Sequence, residues 1–174
     1  MIIELINKKG VCLLYPKNQL IFKMKLAEAL ILRADCQKRI EQLRERLSRN
    51  AKVQEGEKPA EKPEDILAEL DRTLNQLNDL IKRINKTNSS TAFKEGMTLA
   101  DALAERDVMI LKHKILSELA KEASSRRDIF TRSEVKYFST INVSDMQNQA
   151  DEISKKCREL DSEIQEKNWN VELI

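Results

Sequence analysis

Glycine and proline are nearly missing from this chain, with three of each in 174 residues, and aromatic residues make up only 4%. A β-sandwich or barrel needs turn formers roughly every ten residues, and a doubly wound α/β fold needs glycine-rich turns between strand and helix. Both are excluded. The same scarcity removes a phosphate-cradling Walker loop and a dinucleotide-binding fingerprint. Cysteine is scarce as well: Cys12, Cys36 and Cys157 are odd in number and lack metal-ligand spacing, which fits a reducing compartment. No apolar run approaches the ~20 residues of a membrane span, so a cytoplasmic location is expected. What the chain has in abundance is charge, at 34%. Alongside 41% hydrophobic residues in helical periodicity, this describes a long-helix protein rather than a disordered one.

The formal charge of +2 is unevenly placed. Residues 1–23 hold Lys8, Lys9, Lys17 and Lys23 against Glu4 alone, which leaves the remainder with 27 basic and 28 acidic groups. Outside the leader there is no net field to attract a polyanion. The leader also contains Gly10 and Pro16 and lacks helical periodicity. It fails as a secretion signal, because Glu4 lies in its first segment and the apolar run Val11 to Tyr15 is short. Composition and charge both change at Met24, so residues 1–23 are expected to lie outside the folded domain, with Met24 the authentic initiator and 24–174 a single helical domain.

The periodicity predicts four long helices. The first runs from about Lys25 to Ser48 with the stripe Ala29, Leu32, Cys36, Ile40, Leu43 and Leu47. Its opening half is apolar nearly all round. Residues 50–63, with Gly56, Pro59 and Pro63, form the longest loop. The second helix starts near Pro63, a residue suited to a first helical turn, and its stripe Leu67, Leu70, Leu74, Leu77, Ile81 and Ile84 steps by 3, 4, 3, 4, 3, the spacing of a coiled-coil seam. The polar segment INKTNSSTAFKEGMT reads as a loop with a short extended piece near 88–93. Thr98 and Asp101 resemble a capping box opening a third helix, from Leu99 to about Ala123. Its apolar residues fall on more than one face, so it is expected to be the central, most buried helix. EVKYFSTINV, within 134–143, suits a strand, partnered either by the piece near 88–93 or by a second subunit. Ser144 with Gln147 makes a capping box for the fourth helix, whose stripe is Met146, Ala150, Ile153, Cys157, Leu160 and Ile164. The fold class is therefore all-α: four long helices as antiparallel hairpins or a bundle, with a small β element near 88–93 and 134–143.

Candidate chemistry is sparse. His113 is the only histidine, and the apolar Met109, Ile110 and Leu116 around it at helical spacing mark a packing or interface position. Cys36 and Cys157 lie on helix seams and read as small core residues. No Glu-x-x-His pair of the kind that builds a metal site in a bundle occurs. No catalytic, metal or cofactor residues are assigned, and the chain reads as a non-enzyme. The least ordinary stretch is SSRRDIFTRSEVKYF, where Arg126, Arg127, Arg132 and Lys136 alternate with aromatics. Such a pattern can hold phosphate and stack bases, although a helix end whose arginines cap carbonyls, followed by a half-buried strand, is the favoured explanation.

From Met24 onward, MKLAEALILRADCQKRIEQLRERL, NAKVQEGEKPAE, LIKRINKTN, TLADALAERD, FTRSEVKYFSTINV and RELDSEIQEKNW resemble the bacterial septicolysin-like proteins, over residues 24–172. The resemblance implies a pore-forming cytolysin and supplies no catalytic residues. RADCQKRIEQLRERLSRNAK is also similar to the coiled-coil arm of seryl-tRNA synthetases, which keeps an RNA-binding coiled-coil module using 126–138 as an alternative. The residues themselves point to a self-assembling scaffold or protein-interaction module, a homo-oligomer whose seams supply the contacts.

Overall fold

The structure is a computed structural model, and it describes residues 3–6, 12–15, 24–125 and 138–174. Four helices dominate: α1 (Leu26–Asn50), α2 (Pro63–Ser90), α3 (Leu99–Ser124) and α4 (Val143–Asn170). Two small antiparallel hairpins accompany them. One pairs β1 (Ile3–Ile6) with β2 (Cys12–Tyr15), setting Ile3 opposite Tyr15 and Leu5 opposite Leu13. The other pairs β3 (Ala92–Lys94) with β4 (Met97–Thr98). Its turn runs through Glu95 and Gly96, whose φ of 71° lies where a residue without Cβ is favoured.

α1 lies along α2 and α3 along α4, whereas α1 meets α4, and α2 meets α3, only over short stretches. The molecule is two antiparallel helical hairpins that share one core. That core gathers Leu26, Ala29 and Cys36 from α1, Leu80 and Ile84 from α2, Phe93 from β3, Leu99 and Ala102 from α3, and Leu160 and Ile164 from α4. These residues come from the first halves of α1 and α3 and the second halves of α2 and α4. Beyond the core each hairpin continues as an arm. The first arm buries Leu43 and Ile66, and the second buries Ala120 and Ala150.

Local chemistry sets the helix ends. The Lys25 backbone N–H donates to Glu28 Oε2 at 2.7 Å, placing an acid in the first turn of α1, where the helix dipole favours it. Pro63 opens α2, with Glu64 and Asp65 behind it. Thr98 and Asp101 close a capping box: the Asp101 N–H donates to Thr98 Oγ1 at 3.2 Å and the Thr98 N–H to Asp101 Oδ2 at 2.8 Å. These bonds hold the Asp101 carboxyl below its ordinary range, with the Thr98 hydroxyl the largest cause. α4 starts two residues earlier than the Ser144 box implies. Asn142 Oδ1 accepts from the N–H groups of Ser144 and Asp145, the preferred arrangement for an Asn cap.

Three expectations need correction. α2 does not end before INKTNSS but runs through it to Ser90. The polar side chains there are tolerated because Thr87, fully buried, donates its hydroxyl to the Arg83 carbonyl at 2.9 Å and accepts the Ile174 N–H at 3.0 Å. The strand near 92 pairs with the adjacent Met97–Thr98. Of the stretch 134–143, residues 134–137 lie outside the described residues, 138–142 form no strand, and Val143 begins α4. Finally, α3 is not the most buried helix. It buries Leu99, Ala102 and Ala120 and leaves Val108, Ile110, Leu111, Ile115 and Leu119 exposed, because small side chains face α4 and the large apolar ones point elsewhere.

The tail after α4 fastens the core. Val171 C=O accepts from the Leu26 N–H at 2.9 Å, the Leu173 N–H donates to Met24 C=O at 2.8 Å, and Lys25 and Glu172 form a β-bridge between these bonds. Leu173 is thereby carried into the core. The tail thus satisfies an N-terminal donor of α1 that no intrahelical carbonyl can reach.

Candidate functional site

The seam residues occupy three kinds of position. On α4, Leu160 and Ile164 are buried and Met146, Ile153 and Cys157 half-buried, along the helix that packs on α3. On α2, Ile84 is buried, Leu70, Leu77 and Ile81 are half-buried, and Leu67 and Leu74 are exposed by 47% and 43%. The covered line on α2 is instead Ile66, Leu70, Thr73, Leu77, Leu80, Ile84 and Thr87, again with coiled-coil spacing. Thr73 and Thr87 can belong to it because each donates its hydroxyl to the carbonyl four residues earlier, so no polar group is left unsatisfied there.

Exposed apolar surface concentrates on α3. Val108, Leu111, Ile115 and Leu119 recur at three- and four-residue steps, so they share one face. Over this stripe of about 16 Å they are exposed by 65%, 57%, 54% and 42%. At 100° per residue the stripe lies roughly 100–180° around the helix from Ala102 and Ala120, which are buried. It therefore points away from α4. Beside it stand Asp107, which accepts from Arg106 at 2.8 Å, and Lys112, Lys114 and Glu118, with Lys114 and Glu118 paired along the helix at 3.9 Å. Both signs of charge flank the apolar line.

The first arm shows the opposite distribution. Arg39 Nε donates to Glu69 Oε1 at 2.9 Å, and Arg46 reaches both Glu61 and Glu69. These bonds draw α1, α2 and the 51–62 loop together at the rim of the seam. The Arg39 guanidinium bonded to Glu69 and the Arg46 guanidinium bonded to Glu61 hold both carboxyls below the ordinary carboxylate range.

Among the described residues, the remaining candidates His113 and Cys36 lie apart, on α3 and α1. His113 is half-buried in an open groove of about 490 Å³ between α3 and α4, with Ser117, Lys121, Gln147 and Asp151 among its walls. Burial pushes the Cys36 thiol up, with Asp35 adding to the shift, the direction that makes it inert. Among the described residues no group of three or more His, Cys, Asp or Glu side chains could hold a metal ion, and no helix is long and apolar enough to cross a membrane. Arg126, Arg127, Arg132 and Lys136 lie outside the described residues. The outward stripe of α3 is the feature that residue-by-residue reading missed. The clustering of Val108, Leu111 and Ile115 was visible, but periodicity alone does not say which of several apolar faces has a neighbour.

No curated protein matches the chain. Among solved structures, a crystal structure of a functionally unknown conserved protein from Corynebacterium diphtheriae is similar, with 48% identity and a TM-score of 0.82 over 87% of this chain and 99% of that one. The septicolysin-like resemblance is overturned by these comparisons, and the cytolysin function it implied goes with it. Its strings were drawn largely from charged helices, and such segments converge on Glu, Arg and Leu whatever their ancestry. Residues 33–173 match the model of DUF6847, a family of unknown function, and the chain belongs to that family.

Proposed function

We propose that this protein is an assembly module, a helical scaffold that acts by docking an apolar helix face onto another protein. The observation that carries this reading is the outward stripe Val108, Leu111, Ile115 and Leu119. A helix that is apolar on more than one side is ordinarily buried on more than one side. Among the described residues α4 packs along one side of α3 and the stripe is left exposed. The rest of the surface supports the same class of function: the well-formed contacts are ion pairs and caps that stabilise the arms. Light scattering of the full chain across a concentration range tests the reading. A mass above that of one 20.1 kDa chain, rising with concentration and persisting in high salt, is expected for contacts driven by apolar burial. A single-chain mass at every concentration, together with no protein retained from a lysate of the source cells, overturns it.

A further inference from the structure

We infer that the loop at the tip of the first arm is a binding site for a small organic polyphosphate, with Arg49, Lys52 and Lys58 holding the phosphoryl oxygens. The loop of residues 51–62 borders an open cavity of about 750 Å³, within the size range of small-molecule sites and far larger than a lone phosphate needs. Its cations come from the end of α1 and from both sides of the turn at Gly56, whose φ is 87°. Val53, Pro59 and Ala60 add apolar wall, which suits a ligand with an organic body as well as a charged group. The site lies on the arm that does not carry the α3 stripe, and it stands whether or not the chain assembles.

The loop is held in shape by its own contacts. Asn50 Nδ2 donates to the Arg46 carbonyl at 2.9 Å, and Asn50 Oδ1 accepts the Glu61 N–H at 3.0 Å. Between these anchors the Glu57 N–H donates to the Gln54 carbonyl at 3.0 Å. Arg46 bonds Glu61, so that carboxylate is already matched. Among the described residues the side chains of Arg49, Lys52 and Lys58 make no hydrogen bond or ion pair. On the cavity wall these three cations stand against Glu57 alone. The helix dipoles leave that sign unchanged, because α1 ends and α2 begins at the same tip and their partial charges oppose. Arg49 offers a planar fork to two phosphoryl oxygens, and the lysines act as mobile point charges. A small anion feels only this local surplus, since exposed charges beyond ~10 Å are screened at ordinary salt. A long polyanion would sample the whole surface, where basic and acidic groups balance.

The test titrates ATP, without magnesium, into the full chain at low ionic strength and reads the heat. One saturable site per chain is expected. Lys52→Glu with Lys58→Glu should weaken it by about tenfold or more, with helicity and melting temperature unchanged because both side chains are exposed in a loop. Lys82→Glu with Lys86→Glu, exposed on α2, makes the same change in net charge and should leave the affinity nearly unaltered. Equal weakening by the two double variants overturns the site, as does the absence of saturable binding at millimolar ATP. Pyrophosphate should bind through the same lysines but more weakly than ATP. Equal affinity for the two overturns the organic ligand and the part given to Val53, Pro59 and Ala60. A short single-stranded RNA that binds through Lys52 and Lys58 far more tightly than ATP overturns the small-ligand assignment in favour of a nucleic-acid contact.

Discussion

The two helical hairpins are built alike and finished differently. Each pairs helices of 25 to 28 residues, and each leaves the shared core as an antiparallel arm. The α1–α2 arm places large side chains, Leu43 and Ile66, inside and closes its rim with Arg39, Arg46, Glu61 and Glu69. The α3–α4 arm places small ones, Ala120 and Ala150, inside and carries its large apolar residues on the outward side of α3. Total apolar content does not separate a self-sufficient hairpin from one that needs a partner. Its distribution around the helix does.

The sharpest way to break this contrast is to make the same change in both arms. Leu43→Ala removes a fully buried side chain and should cost about 2–5 kcal/mol by denaturant unfolding, whereas Leu111→Ala should stay within ~0.5 kcal/mol at concentrations where the chain is monomeric. Equal losses would mean that the α3 face is covered within one chain. The next largest effect is expected at the junction of the arms. Thr87→Ala removes a fully buried hydroxyl and leaves the Ile174 N–H without its acceptor, a change worth about 1 kcal/mol, and hydrogen exchange should quicken first at residues 171–174. Smaller still is Glu69→Gln on the polar rim, expected to cost no more than ~0.5 kcal/mol for a partly exposed pair.

Acid should distinguish the arms in the same direction. The Arg46 and Arg39 guanidiniums hold the Glu61 and Glu69 carboxyls below the ordinary glutamate value of 4.5. Their contribution is therefore fully present above that value and is lost as pH falls through the lowered folded values. Hydrogen exchange measured from pH 5 downward should show residues 39–69 loosening before the α3–α4 arm. Loosening of both arms together would show that the rim ion pairs do not set the difference.

The number, order and approximate extent of the helices were legible because a long apolar period survives any local error in reading it. The α4 stripe from Met146 to Ile164 was legible because only one run of residues has that spacing. α2 was harder, since Leu67, Leu74 and Ile81 compete with Ile66, Thr73, Leu80 and Thr87 for the same heptad. The competition is decided by threonines that a hydrophobicity count treats as polar. The last turns of α2 were illegible for a related reason: what makes Thr87 a core residue is a backbone group from the far end of the chain. The candidate interface on α3 was only half legible, because a sequence displays apolar faces without their neighbours.

The clasp between the tail and the start of α1 also bears on the order in which this protein can be completed during synthesis. Leu26 donates to Val171, and Lys25 to Asn170, across a separation of 145 residues. At about 5–20 residues per second, the ribosome delivers the tail many seconds after α1 has emerged. The α1–α2 arm has its seam and its ion pairs well before then, so it can form while the chain is still growing. The shared core must wait for α4 and for Leu173, and in that interval Leu26, Ala29 and Ile84 remain open to whatever else a nascent chain meets.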